Sequence, residues 1–444
     1  MDYQEEVEDE VQEDSEDESE DEDDFQCRVV TVNRHATVLD IKKAVLKKYE
    51  NQYKPRKITL FTRLYDDKEL TKLPTTIRRI SNRPFSEELT IDDNIVLIVS
   101  RLNENESELL VIPKLKLPKH YTNVLLSQIS GITKSLSNRY ILEQLCLSEQ
   151  LYKKIPIPTH IDDWLAQYRE PVQSPLALKE DDTRRVLSET RNVIYLLPII
   201  HHNTDENLFT SLQKYISAFF RGVVVKCMDS VQLRKNSKQK VVKLFDNFIR
   251  WRYECPQSNK QFYYGQVNAN DLLDTLISRI PDDAFCVLGI TEIDLYVADE
   301  DNFCTGLASF HDGVGILSTF RHFRDHKRKR SPVNSSLIDQ MCKTAVHEIG
   351  HMFGMEHCIY RMCCMNGAGH MEEDFSIPHH FCPACLCKLA FVLGDTFSLV
   401  DYFNSLLKFY KEYEFDLEYD HTQQILQVLD SDIIPREVTP HWDL

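Results

Sequence analysis

The run His347-Glu348-Ile349-Gly350-His351-Met352-Phe353-Gly354-Met355-Glu356-His357 places three imidazoles and a carboxylate close together in the chain. His347 and His351 are four residues apart, so on a helix they lie one turn above each other on the same face, where both can reach one metal ion. Gly354 can adopt the positive φ that ends a helix sharply, and the chain can then turn to bring His357 to the same ion from a non-helical segment. Three protein ligands leave a fourth position for water, whose pKa zinc lowers from ~15.7 to roughly 7. Glu348, beside the first ligand, is placed to accept the water's proton and pass it to a leaving amine. The chemistry this predicts is metal-assisted hydrolysis of a peptide bond.

A second ligand set follows without a gap. Cys358, Cys363, Cys382 and Cys385 form a C-x4-C and a C-x2-C pair. Four thiolates fill a tetrahedral zinc shell and leave no position for substrate, so this site is expected to be structural. Cys364 and Cys387 lie close enough in sequence to replace one of the four, and Cys342 precedes the histidines; the alternative for these three is small buried packing residues. Because Cys358 adjoins His357, closing the cysteine site is expected to pin the third histidine.

These motifs together resemble the archaemetzincins, a metzincin-like zinc peptidase family whose H-E-x-x-H-x-x-G-x-x-H signature is followed by C-x4-C-x-M and C-x2-C. The resemblance makes Met365 the Met-turn residue, an apolar floor beneath the histidines that does not ligate the metal. Gly265 to Ala269, Thr291 to Tyr296, and Asn302-Phe303 with Gly306 are similar to strand and loop sequences of that family. The likeness runs from about Arg191 to Leu393. It implies an α+β or α/β fold: a metzincin-like catalytic domain with a mixed sheet and a zinc-ligand helix.

The elements that must position these residues are legible in the pattern. An apolar strand is predicted at Val193 to Ile200, a helix at about Asp205 to Phe220 and a strand at Val223 to Cys227. A helix from Asn268 to Ile280 and strands near Phe285 to Ile290, Ile293 to Val297 and Gly313 to Leu317 follow. The metal helix is expected from Ser335 or Ser336 to about Phe353, with Leu337, Met341, Ala345 and Met352 packing inward. Upstream, residues 103–190 read as a mostly helical linking region, with Ile141, Leu142 and Leu145 on one face and Thr159 capping a helix that carries Trp164 and Leu165. No chemistry is evident there. Residues 191–394 form the expected catalytic domain with its four-cysteine site, and 395–444 a C-terminal helical segment in which Leu399, Tyr402, Leu406, Leu407 and Tyr410 recur at helical spacing.

Residues 25–102 read as a small β-grasp-like, ubiquitin-like domain: a strand at Cys27 to Val32, a helix with Val38, Ile41 and Val45, a strand at Lys57 to Thr62 and a buried strand at Ile95 to Val99. A first strand ahead of that one is missing from the pattern, and no diglycine follows Arg101, so a conjugatable modifier is excluded. This region offers a surface for a protein partner. Residues 1–24 hold 16 Asp or Glu and no Lys or Arg, the composition of a disordered acidic tail. The other 54 acidic residues face 52 basic ones, so bulk charge argues against nucleic-acid binding by the folded part.

No signal-peptide pattern opens the chain, and no apolar run approaches the ~18 residues of a membrane span. An intracellular protein is expected, with its 13 cysteines as free thiols and metal ligands. His326-Lys327-Arg328-Lys329-Arg330 is either a nuclear import signal or a solvated basic loop. The functional expectation is a zinc peptidase with two Zn2+ per chain, one catalytic and one structural, acting on a peptide or protein substrate. The alternative is a zinc-containing adaptor whose metal sites are mainly structural.

Overall fold

The computed structural model describes residues 121–431 except 157, 159–161, 169, 171, 201–205, 237–240, 255–260, 300 and 323–334, together with the backbone of five strands ahead of them. These are β1 (Arg28–Asn33), β2 (Thr62–Arg63), β3 (Leu70–Thr71), β4 (Ile95–Arg101) and β5 (Glu106–Pro113). β5 pairs antiparallel with both β1 and β4, so strand structure reaches into a stretch expected to be a helical linker. The β-grasp-like reading of 25–102 is not supported: its predicted helix lies outside the described residues, as do the acidic tail and the basic run at 326–330.

The part of the chain that carries the histidine motif is a mixed α/β structure. Its six-stranded central sheet has the order β15-β16-β13-β6-β7, where β6 is Val193–Ile200, β7 Val224–Cys227, β13 Ala284–Thr291, β15 Gly306–Ala308 and β16 Val314–Ser318, and the short β8 (Val231–Gln232) also pairs with β6. β7, β6, β13 and β16 run parallel, and β15 is an antiparallel edge strand. A parallel sheet is covered on both faces and so needs near-continuous apolar strands, which the runs VIYLLPII and AFCVLGIT supply. A second, five-stranded sheet has the order β14-β12-β11-β10-β9, with β9 at Arg234–Asn236, β10 at Val241–Leu244, β11 at Asn247–Glu254, β12 at Gln261–Asn268 and β14 at Asp294–Tyr296. The sequence reading had missed β9, β10 and β11.

Helices supply the other layer. They are α1 (Tyr121–Ile132), α2 (Leu136–Leu147), α3 (Trp164–Gln167), α4 (Pro175–Glu180), α5 (Glu206–Phe219), α6 (Ala269–Ile277), α7 (Ser335–Met352), α8 (Met371–Ser376), α9 (Pro383–Leu393), α10 (Leu399–Glu412) and α11 (Asp416–Ser431). One face of α5 buries Leu208, Leu212, Tyr215, Ile216 and Phe219, the spacing of a single helical stripe. On α7 the expected inward residues Leu337, Met341, Ala345 and Met352 are all buried. A single hydrophobic core joins them to Ile141 and Leu145 of α2, Leu178 of α4, and Leu399 and Tyr402 of α10. That core crosses the boundaries expected at 190 and 394, because α7 is buried around most of its circumference and has neighbours on every side. The other face of the central sheet packs Ile199, Val287 and Ile316 against Trp251, Val267 and Leu272 of the second sheet and α6.

A buried polar chain ties three helices and a loop together. Asp339 of α7 accepts from His379 Nε2 at 2.9 Å, His379 Nδ1 lies 3.3 Å from the Tyr215 hydroxyl on α5, and that hydroxyl lies 3.4 Å from Tyr410 on α10. Burial raises the Asp339 carboxyl, but the hydrogen bond and charge of His379 and the charge of Lys343 hold it below its ordinary value. A depressed carboxyl contributes stability above its unfolded pKa and loses it as the pH falls through the folded one. Asp339→Asn should therefore cost about 1–3 kcal/mol at neutral pH, and the deficit should shrink from about pH 5 to about pH 3. Urea unfolding of the metal-free chain checks this; an equal deficit at both ends would show that the charge of Asp339 is not what stabilises.

Candidate metal centre

Helix α7 ends at Met352, the residue after His351, and the way it ends builds the site. Gly354 has φ +86°, its N–H donates to His351 O at 2.8 Å, and Met355 N–H donates to Gly350 O at 3.1 Å. A side chain at that φ is strained, so the glycine is what lets the chain double back immediately. The bend brings His357 to the two helical histidines, with ring centroids 4.6 Å apart for His347 and His351, 5.2 Å for His347 and His357, and 4.8 Å for His351 and His357. One ring nitrogen from each lies within 4.8 Å of the others.

The remaining ring nitrogens are all committed. His347 Nδ1 is 2.8 Å from Cys364 O, His351 Nδ1 2.7 Å from Met355 O, and His357 Nδ1 2.7 Å from Glu170 Oε1. Carbonyls and carboxylates only accept, so each Nδ1 carries the proton and each Nε2 presents a lone pair. Nε2 of His347 and Nε2 of His351 face each other at 3.0 Å. Two lone pairs at that distance repel unless a cation lies between them. Burial and the neighbouring His357 push His347 down to about 3, and burial with His347 and His357 pushes His351 well below its ordinary value. Both are therefore neutral at pH 7, as ligation requires. The donor set fits a zinc ion.

Glu348 is buried beside them, and burial followed by the charge of Asp374 pushes its carboxyl up to about 8. The edge strand β15 runs past it: a Cβ at Gly306 would overlap Glu348 Oε1, so only glycine lets that strand come so close. Met365 is fully buried, with its sulfur against Gly350 in the turn between His347 and His351.

The four cysteines meet as a second cluster. Their sulfurs lie within 4.8 Å of one another, all four are buried, and none is in a disulfide. Asn366 shapes the loop between Cys358 and Cys363: its amide donates to Cys358 O and Arg361 O, and Cys363 N–H donates to its Oδ1. Burial opposes ionisation of Cys358, yet hydrogen bonds from Cys363, Cys382 and Cys385 hold it well below the usual thiol range. A buried thiolate accepting from three thiols is what a tetrahedral metal would replace. Cys364 lies outside the cluster with its thiol directed at Lys343 O, and Cys342 and Cys387 are buried packing residues.

The region expected to carry no chemistry reaches into this centre, which corrects that expectation. Glu170 accepts from His357, Trp164 Nε1 donates to the same Glu170 oxygen, and the Trp164 ring meets His357 edge-on at 4.8 Å. Gln173 satisfies the bend itself, donating to Gly354 O at 2.8 Å and accepting from Glu356 N–H and Lys388 Nζ. No motif marks these residues, and they lie about 180 positions from their partners. The cap of α3 is at Asp163; Thr159 lies outside the described residues. Asp163, His370 and Glu373 also cluster, but His370 already pairs at both ring nitrogens, with Asp163 and Glu372.

Among the described residues no helix is long and apolar enough to cross a membrane. Residues 200–390 match the model described as Peptidase family M54, which sets the class as that of a peptidase family. The chain is 33% identical over 282 residues to Archaemetzincin-2 of Homo sapiens, covering 57% of this chain and 73% of that protein. It belongs to the archaemetzincin family. It is also 27% identical over 264 residues to Archaemetzincin-1 of Mus musculus, covering 52% of this chain and 49% of that protein. Among solved structures it is similar to an archaemetzincin from Methanopyrus kandleri at 21% identity and a TM-score of 0.34, over 46% of this chain and 97% of that one.

Proposed function

We propose that this protein is a zinc-dependent peptidase of metzincin type, in which His347, His351 and His357 hold a catalytic zinc ion and Glu348 is the general base. The observation that carries this reading is the convergence of three imidazoles whose Nδ1 atoms are all occupied, beside a buried carboxylate on the same helix. Zinc bound there supplies Lewis acidity to the scissile carbonyl and lowers the pKa of the attacking water to roughly 7. With zinc bound, the charge of the cation would favour the ionised form of the Glu348 carboxyl, which would accept a proton from the attacking water and return it to the leaving amine. The Nδ1 partners fix the tautomer and orientation of each histidine, and Met365 closes the floor beneath them. The edge strand β15 offers main-chain groups to an extended peptide, which lies across Glu348 when it adds to the sheet.

Cys358, Cys363, Cys382 and Cys385 hold a second, structural zinc that fastens the loop following His357. The substrates are peptides or proteins. The purified chain should contain about two zinc ions, and removal of metal by a chelator should abolish hydrolysis of a peptide library, with zinc restoring it. A metal-replete chain that cleaved no peptide would overturn the reading.

A further inference from the structure

We propose that Glu170 is a positioning residue of the metal centre, and that Trp164, Glu170 and Gln173, ahead of the family-matched residues 200–390, are part of that centre. This rests on the reading that the three histidines hold zinc.

The three histidines are not equivalent. His347 and His351 stand on α7, and their Nδ1 atoms donate to backbone carbonyls of the chain that follows that helix, at Cys364 and Met355. His357 follows a bend, where no helix backbone sets the direction of its side chain. Its Nδ1 meets the Glu170 carboxylate at 2.7 Å, a charge-assisted bond stronger than one to a neutral carbonyl. Such a partner holds the ring in the Nε2-ligating tautomer and raises the basicity of the ligating nitrogen. It also places one negative charge beside a site whose three ligands are neutral.

Glu170 is itself held. Two side-chain donors reach it, His357 Nδ1 and Trp164 Nε1. Both donors converge on one oxygen, Oε1, so its position is set by two rings at once. Tyr168 packs against Trp164 with ring centroids 4.2 Å apart. Gln173 then ties the segment to the bend through Gly354 O and Glu356 N–H, so the orienting carboxylate and the bend it serves move together.

Cobalt titration of the full chain tests this, because cobalt at histidines and cobalt at thiolates absorb differently, and chelator competition then gives each site's affinity. Glu170→Ala should weaken metal binding at the histidine site by about 10–100-fold and alter its cobalt spectrum, leaving the thiolate-bound signal unchanged. Glu170→Gln, whose amide oxygen can accept from both donors, should recover most of that loss. Unchanged histidine-site affinity in Glu170→Ala would overturn the proposal, as would parallel loss of both cobalt signals in both variants. Should the alanine variant not fold, Glu170→Asp keeps the charge but withdraws the oxygen, and unchanged affinity there overturns it equally. A wild-type chain with no histidine-bound cobalt would instead remove the zinc reading beneath it.

Discussion

Glu348→Gln is expected to lower peptide hydrolysis by about 10²–10⁴-fold while the chain keeps its metal. The substitution is nearly isosteric, so the buried position beside β15 stays filled and α7 keeps its packing. What disappears is the group able to take a proton. Paired measurement of zinc content and cleavage rate decides the matter: undiminished cleavage would remove Glu348 from the chemistry. Loss of cleavage with every biological activity intact would favour the adaptor reading.

Cys382→Ser is expected to act on both metal sites. The cysteine cluster and the histidine site share covalent and hydrogen-bonded connections: Cys358 follows His357, Cys358 N–H donates to Met365 O at 2.7 Å, and Cys364, which follows Cys363, supplies the carbonyl that orients His347. Cys382 Sγ is 3.5 Å from Cys358 Sγ, and Cys382 N–H donates to Cys363 Sγ at 3.2 Å. Structural zinc in small domains contributes about 10–16 kcal/mol of apparent binding energy, so losing one ligand should remove several kcal/mol of stability here. The loosened loop should weaken the histidine site by about 10–100-fold, the range for lost outer partners. Metal analysis with thermal unfolding reads both effects. A variant that lost one zinc and retained full histidine-site affinity and full cleavage would show the sites to be independent.

The local part of the centre was readable because its determinants are short-range. A four-residue spacing on a helix, a glycine where the chain must reverse, and paired cysteines each express geometry over a few residues. The central sheet was readable for a related reason: strands covered on both faces must be apolar throughout, as Val193–Ile200 is. The short strands β9 and β10 were not legible, because a partly exposed antiparallel strand such as Val241–Leu244 carries too few residues for its alternation to stand out. The start of α3 was not legible because its N-cap residue, Asp163, makes no side-chain capping hydrogen bond and pairs instead with His370, a partner far along the chain.

By itself the sequence determined which imidazoles, thiols and carboxylate are available as ligands and in what order, since that follows from residue identity and spacing along one helix and its following bend. Only the tertiary structure decided what holds the ligands in place. Glu170, Trp164 and Gln173 come from a stretch with no pattern of their own, and their roles exist only because one core packs α2, α4 and α7 together. Glu170 meets His357 at 2.7 Å, and sequence carries no record of such a distance when 187 positions separate the partners.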